Sequence, residues 1–119
     1  MINTIKSNGD RIEAKLSLYL FKDDGVYIMY CPALDLSGYG NTKKESRESF
    51  ECVLSGYLEY CVENNTLRND LTRHGWTLDG AVESPSVKQM LRSNKTLGDI
   101  IYEKDYVKLS ETVDIPAIV

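Results

Sequence analysis

Asp23, Asp24 and Asp35 are the carboxylates that most invite a chemical reading, since acidic oxygens gathered at one point would hold a divalent cation for a metal-dependent nuclease. Asp23-Asp24 stands directly before Gly25, however, and that is the composition of a hairpin loop, so the turn role is the one adopted. Cys31 and the only histidine, His74, offer a thiol and an imidazole of the kind that form nucleophilic pairs. Nothing in their spacing brings them together, and no third residue suggests itself to orient the base. Gly38-Tyr39-Gly40 ahead of a helix resembles a phosphate loop, because amides at a helix N-terminus attract anions. It lacks a third glycine and the Lys-Ser/Thr of a P-loop, which leaves a structural bend. No catalytic residue, metal ligand or cofactor is therefore assigned.

The elements that must position these residues follow from periodicity. From Arg11 to Phe21, Ile12, Ala14, Leu16, Leu18 and Leu20 alternate with Arg11, Glu13, Lys15, Ser17 and Tyr19, the period of a half-buried strand. Asp23-Asp24-Gly25 then supplies turn chemistry, and Val26 to Cys31 is rich in β-formers, so the two segments read as a hairpin. Pro32 removes a backbone donor and ends that strand, and Leu36 to Tyr39 reads as a third. Thr42 with Glu45 forms a capping-box signature, after which Phe50, Val53, Leu54, Tyr57, Leu58, Cys61 and Val62 recur at helical spacing. A long amphipathic helix is predicted from Lys43 to Glu63, with Gly56 inside it accounted for by close packing on the sheet.

Asn64-Asn65-Thr66 breaks this helix and caps a shorter one over Leu67 to His74, where His74 meets terminal carbonyls and Gly75 takes a left-handed C-terminal position. Trp76-Thr77-Leu78 reads as a further strand. Beyond Pro85, Ser86 to Ser93 and Leu97 to Glu103 look helical, and Tyr106 to Ile115 is extended with Pro116 near its end.

Composition bounds the function. A chain of 119 residues with 42% hydrophobic content forms a single domain, 1–119, able to bury a core. A net charge of -4 provides no general field for phosphates but does suit a basic partner. Cys31, Cys52 and Cys61 are odd in number and have no CxxC spacing, which argues against a disulfide framework or a zinc site and for a reducing, cytoplasmic setting. Met1 to Lys6 lacks the apolar run of a signal peptide, and no segment is long and apolar enough to suggest membrane insertion. Eight tyrosines are many for this length; Tyr19, Tyr27, Tyr39, Tyr57, Tyr60 and Tyr102 are the ones considered for an interface.

The series Asp23-Asp24-Gly25, Pro32-Ala33-Leu34-Asp35, Gly38-Tyr39-Gly40-Asn41-Thr42 and Glu45-Ser46 resembles the core of the HicB-like antitoxins. In that family an Asp-Gly hairpin, a proline at a strand end, a Gly-x-Gly-x-Thr bend and a long helix follow in this order. The individual motifs are short, and their ordered combination carries the weight. Asp23, Asp24, Gly25, Pro32, Leu34, Asp35, Gly38, Gly40, Thr42 and Glu45 are the family-motif residues. Two departures stand out: Pro32-Ala33-Leu34-Asp35-Leu36-Ser37-Gly38 replaces the common Pro-Asp-Leu-Pro-Gly, and Ser46 replaces alanine.

The resemblance implies an α+β fold: a three-stranded antiparallel sheet, a long helix across one face and a fourth strand, likened to part of an RNase H fold. Residues 11–80 form this core, with Trp76 to Leu78 as the fourth strand and 81–119 as a helix-and-strand extension for oligomerisation. It further implies a non-enzymatic antitoxin that sequesters a small basic HicA-type toxin. Family members commonly append a DNA-binding helix-turn-helix or ribbon-helix-helix. Here Val113 to Val119 supplies a strand without two following helices, which argues against carrying operator binding over. The alternatives are an orphan interaction scaffold without a toxin and, behind it, a DNA-binding autorepressor or an enzyme. An open sheet edge at Tyr106 to Ile115 implies self-association as a dimer or tetramer.

Overall fold

The structure, a computed structural model, describes residues 6–8, 11–78 and 82–116. Residues 1–5 of the N-terminal segment tested for a signal peptide, and 117–119 of the C-terminal segment, lie outside the described residues. The elements are β1 (Lys6–Asn8), β2 (Arg11–Asp23), β3 (Val26–Cys31), β4 (Leu36–Gly40), α1 (Lys43–Glu63), α2 (Leu67–Arg73), α3 (Val87–Ser93), α4 (Lys95–Glu103) and β5 (Tyr106–Pro116). All strands join one antiparallel, five-stranded sheet, and the fold is α+β.

β2 is the spine. Arg11 pairs with both Asn8 and Pro116, so β1 and β5 lie on opposite edges of β2, with β3 taking over the β1 side from Tyr19 onward. Asp23 pairs with Val26, which leaves a two-residue loop whose Asp24 and Gly25 have φ of 50° and 80°. Two successive positive φ values match the twist of the flanking strands, and Asp-Gly is the pair that adopts them at least cost.

The alternation of β2 sorts the two faces. Ala14, Leu16, Leu18 and Leu20 are buried on the face that also carries Met29, Cys31 and Gly38 by register, and α1 covers that face through Phe50, Leu54 and Leu58. The other face buries Tyr19, Phe21 and Tyr30, and the Asn94 side chain at the start of α4 bonds the Tyr30 hydroxyl there. The sheet is thus packed on both sides, which is why most of β2 is apolar or buried after Lys15.

Three sequence expectations change. Trp76 to Leu78 is not a sheet strand; it contributes one isolated bridge, Thr77 to Glu83, while β5 takes the place beside β2 in a register running from Arg11 to Phe21. The predicted close packing at Gly56 is absent, since a Cβ there would meet nothing within 4 Å. The capping box at Thr42 is half formed: the Glu45 amide donates to Thr42 Oγ1 at 3.1 Å, but Glu45 Oε1 accepts from Asn41 N at 3.0 Å. A complete capping box lies instead at Ser86 and Gln89, opening α3.

The close approach is at Gly38 and Gly40. A Cβ at Gly38 would stand 2.2 Å from the Phe50 amide nitrogen and 2.5 Å from the Ser46 carbonyl oxygen, and one at Gly40 would stand 2.6 Å from the Ser46 amide nitrogen. These glycines are therefore a docking contact for α1 rather than a bend. Ser46, fully buried here, turns its hydroxyl back to the Lys43 carbonyl at 2.7 Å, which satisfies it without a partner on the sheet. Gly38→Ala is expected to cost about 2 kcal/mol or more in urea unfolding, because helix backbone must move. Gly56→Ala, in open space within a helix, is expected to gain about 0.5–1 kcal/mol, and a loss there would contradict the assignment.

Candidate functional site

The three carboxylates do not converge. Asp23 and Asp24 belong to the β2–β3 turn, Asp35 to the β3–β4 turn at the far end of β3, six residues or about 20 Å away. Asp23 Oδ1 accepts from Lys104 Nζ at 3.3 Å. No group of three His, Cys, Asp or Glu side chains able to hold a metal occurs among the described residues.

Cys31 is fully buried, and burial pushes its thiol up to about 12, the reverse of what a nucleophile requires. His74 caps α2: its Nδ1–H donates to the Asp70 carbonyl at 2.7 Å. Gly75, with φ of 89°, completes a Schellman stop in which Trp76 N donates to the Leu71 carbonyl and Gly75 N to the Thr72 carbonyl, both at 3.0 Å. The indole Nε1–H of Trp76 then reaches the Ala33 carbonyl at 2.8 Å.

Pro32, Ala33 and Leu34 are buried under that indole, and Asp35 has φ of 54°. The Tyr30 hydroxyl donates to Asp35 Oδ1 at 2.7 Å and accepts from Asn94 Nδ2 at 2.8 Å, while Asn94 Oδ1 caps α4 by accepting from Leu97 N at 3.0 Å. Burial, with the Asp35 carboxylate adding to it, raises the Tyr30 phenol well above its ordinary range. Pro32, Asp35 and His74 do share the lining of a shallow polar hollow of about 320 Å³, together with Asn94, Lys95 and Thr96. Its polar groups are largely engaged by residues outside the lining: Asp35 by Tyr30, His74 by the Asp70 carbonyl, and Lys95 by Asp99 at 2.9 Å. Of the motif residues, Asp23, Asp24 and Gly25 thus form the β2–β3 turn, Pro32, Leu34 and Asp35 the β3–β4 turn, and Gly38, Gly40, Thr42 and Glu45 the seat and start of α1.

No family model, curated protein or solved structure matches the chain.

The surface best suited to binding is one that motif reading passed over, the C-terminal half of α1. The last turn holds no basic residue, and Glu59 and Glu63 sit where the helix carbonyls already carry partial negative charge, making no ion pair among the described residues. Tyr60 and Val62 stand exposed between them, Tyr60 at 64%. Glu51, Ser55 and Glu59 follow one another at helical spacing along the flank facing β5, where with Leu54, Leu58 and Val113 they line a groove of about 440 Å³. Its floor is apolar and its rim acidic. Glu51 is shared with Arg47, whose guanidinium lies 3.6 Å from it and 3.5 Å from Glu111. The signal legible in the sequence was the spacing of Glu51, Glu59 and Glu63 without intervening Lys or Arg.

Of the considered tyrosines, Tyr39, Tyr60 and Tyr102 are exposed, Tyr27 and Tyr57 half-buried, and Tyr19 buried. Burial raises the Tyr57 phenol, with Cys61 and Asp70 adding to it, and Cys61 Sγ lies 3.8 Å from Asp70 Oδ2, which ties α2 to α1.

Three measurements bear on these contacts. Trp76→Phe leaves the Ala33 carbonyl buried without its donor and is expected to cost about 1–3 kcal/mol by urea unfolding. A thiol reagent at about pH 8 should modify only exposed Cys52 in the folded protein. The Cys31 thiol is raised from 9.0 to about 12, so its contribution to stability is full below pH 9 and falls away as pH rises toward 12. The urea midpoint should therefore fall between about pH 9 and pH 12, and less steeply in Cys31→Ala.

Proposed function

We propose that this chain is a HicB-like antitoxin that holds a small basic HicA-type toxin inactive by protein contact, in a reducing cytoplasm. What supports the family reading is that the motif series occurs in the expected architectural order: an Asp-Gly hairpin, a proline-led turn, a glycine strand and a long helix lying across it. The observation that carries the function is the acidic, unneutralised end of α1 beside an apolar groove. A basic partner would find there Glu59 and Glu63, free of ion pairs among the described residues, to steer it, and Leu54, Leu58 and Val113 to bury an apolar anchor. The net charge of -4 and the three free cysteines agree with that setting.

Masking by contact needs no reacting group, and the engaged polar side chains of the β3–β4 turn are consistent with such a role. Affinity would come from the apolar floor, whereas the carboxylates would chiefly set the association rate and its salt dependence.

The test is co-purification of the tagged full chain from its own cells, followed by the charge-reversed variant Glu51→Lys/Glu59→Lys. A stoichiometric small basic protein bearing Gly-Ser-His, whose capture falls about tenfold or more in the variant, is the expected result. Because both positions are exposed on α1, circular dichroism of the variant should match that of the parent. Recovery of no such protein would turn the assignment to an orphan scaffold, and undiminished capture by the variant would move the interface away from α1.

A further inference from the structure

We propose that β5 is the seam of a homodimer, in which two copies pair their β5 strands antiparallel about a two-fold axis at Glu111 and merge their sheets into one. Among the described residues β5 pairs only with β2, so one edge of an eleven-residue strand at the rim of the sheet presents unpaired backbone groups. The devices that blunt such an edge are Lys108, the inward-facing Glu111, Asp114 and Pro116 at its end, and the charged ones become complementary when two copies of the strand pair.

The residue order of β5 is its own antiparallel complement. Pairing about Glu111 sets Lys108 of each copy opposite Asp114 of the other, and Ser110 opposite Thr112. On the α1 face it sets Leu109 opposite Val113 and Val107 opposite Ile115. Only residues of the same face meet, so the α1 layers of both copies stay on one side of the joined sheet. Moving the axis to Ser110 would place Lys108 against Thr112 and Leu109 against Glu111. Moving it to Thr112 would place Lys108 against Pro116 and Glu111 against Val113. The Lys108–Asp114 pairs therefore favour the axis at Glu111, which also sets the two inward-facing Glu111 side chains opposite each other. The two Glu111 carboxylates that approach there each have their own Arg47 guanidinium 3.5 Å away.

The single chain also carries a defect that this pairing relieves. β2 and β5 set Glu13 directly opposite Asp114, a like-charge cross-strand pair with both residues exposed, and Lys108 of a second copy would stand on the other side of Asp114.

The seam is independent of the toxin reading and is tested without a toxin, by sedimentation and light scattering of the full chain up to about 100 µM. The parent is expected at twice 13.5 kDa. Lys108→Asp and Asp114→Lys each turn two attractive cross-strand pairs into repulsive ones and should weaken the dimer about tenfold or more, and the combined swap should restore it. Circular dichroism reports whether each single variant remains folded. As a second measurement, Ser110→Cys/Thr112→Cys in a Cys52→Ser background should oxidise to a covalent dimer, since antiparallel partners stand about 4.5–5.5 Å apart at Cα. A monomeric parent, single reversals without effect, a swap that does not rescue, or the absence of the crosslink would each overturn the proposal.

Discussion

The approach of β4 to α1 at Gly38 and Gly40 is the constraint on which the rest of the molecule depends. With no Cβ at either position, helix backbone settles against strand backbone, and the axis of α1 is fixed at that height over the sheet. That height lets Phe50, Leu54 and Leu58 reach Leu16, Leu18 and Met29 as one buried cluster. It also brings Arg47 over Glu111, so the distal strand is tied to the helix by charge as well as by packing.

On the opposite face the organising atom is the Tyr30 hydroxyl. It donates to Asp35 and accepts from Asn94, so one phenol closes the β3–β4 turn and anchors the beginning of α4. Trp76 holds the same turn through the Ala33 carbonyl. Two segments distant in sequence thus converge on four residues, and polar groups that resemble a reactive constellation are consumed in holding it. On the outer face of α1, by contrast, Glu59 and Glu63 make no ion pair among the described residues.

Local chemistry was the legible part. The Asp-Gly hairpin, the alternation of β2, the helical spacing of α1, the glycine stop after α2 and the extended Tyr106 to Ile115 are each determined within a few residues, and each lies where the sequence placed it. What failed depended on distant partners. Trp76-Thr77-Leu78 has strand composition, yet the α2 stop and the Ala33 carbonyl claim the tryptophan, and the place beside β2 goes to a longer apolar alternation whose residues pair across separations of 85 to 105 positions. Gly56 and Gly38 cannot be told apart by residue type, since only the position of the neighbouring backbone separates a tolerated glycine from a required one. The acidic face of α1 escaped motif reading for a related reason: its signal is an omission, the lack of Lys or Arg over the last turn of α1.

The β2–β5 pairing also has a consequence in time. β2, β3, β4 and α1 are consecutive and can assemble as soon as Glu63 has emerged, whereas β5 is complete only at Pro116. At about 5–20 residues per second of synthesis, one edge of β2 stands open for roughly two to ten seconds. During that interval the nascent chain is a sheet short of a strand, with the backbone groups of Leu16 and Leu18 ready to accept one. Whichever strand arrives first, the chain's own or another's, inherits the longest ladder in the molecule.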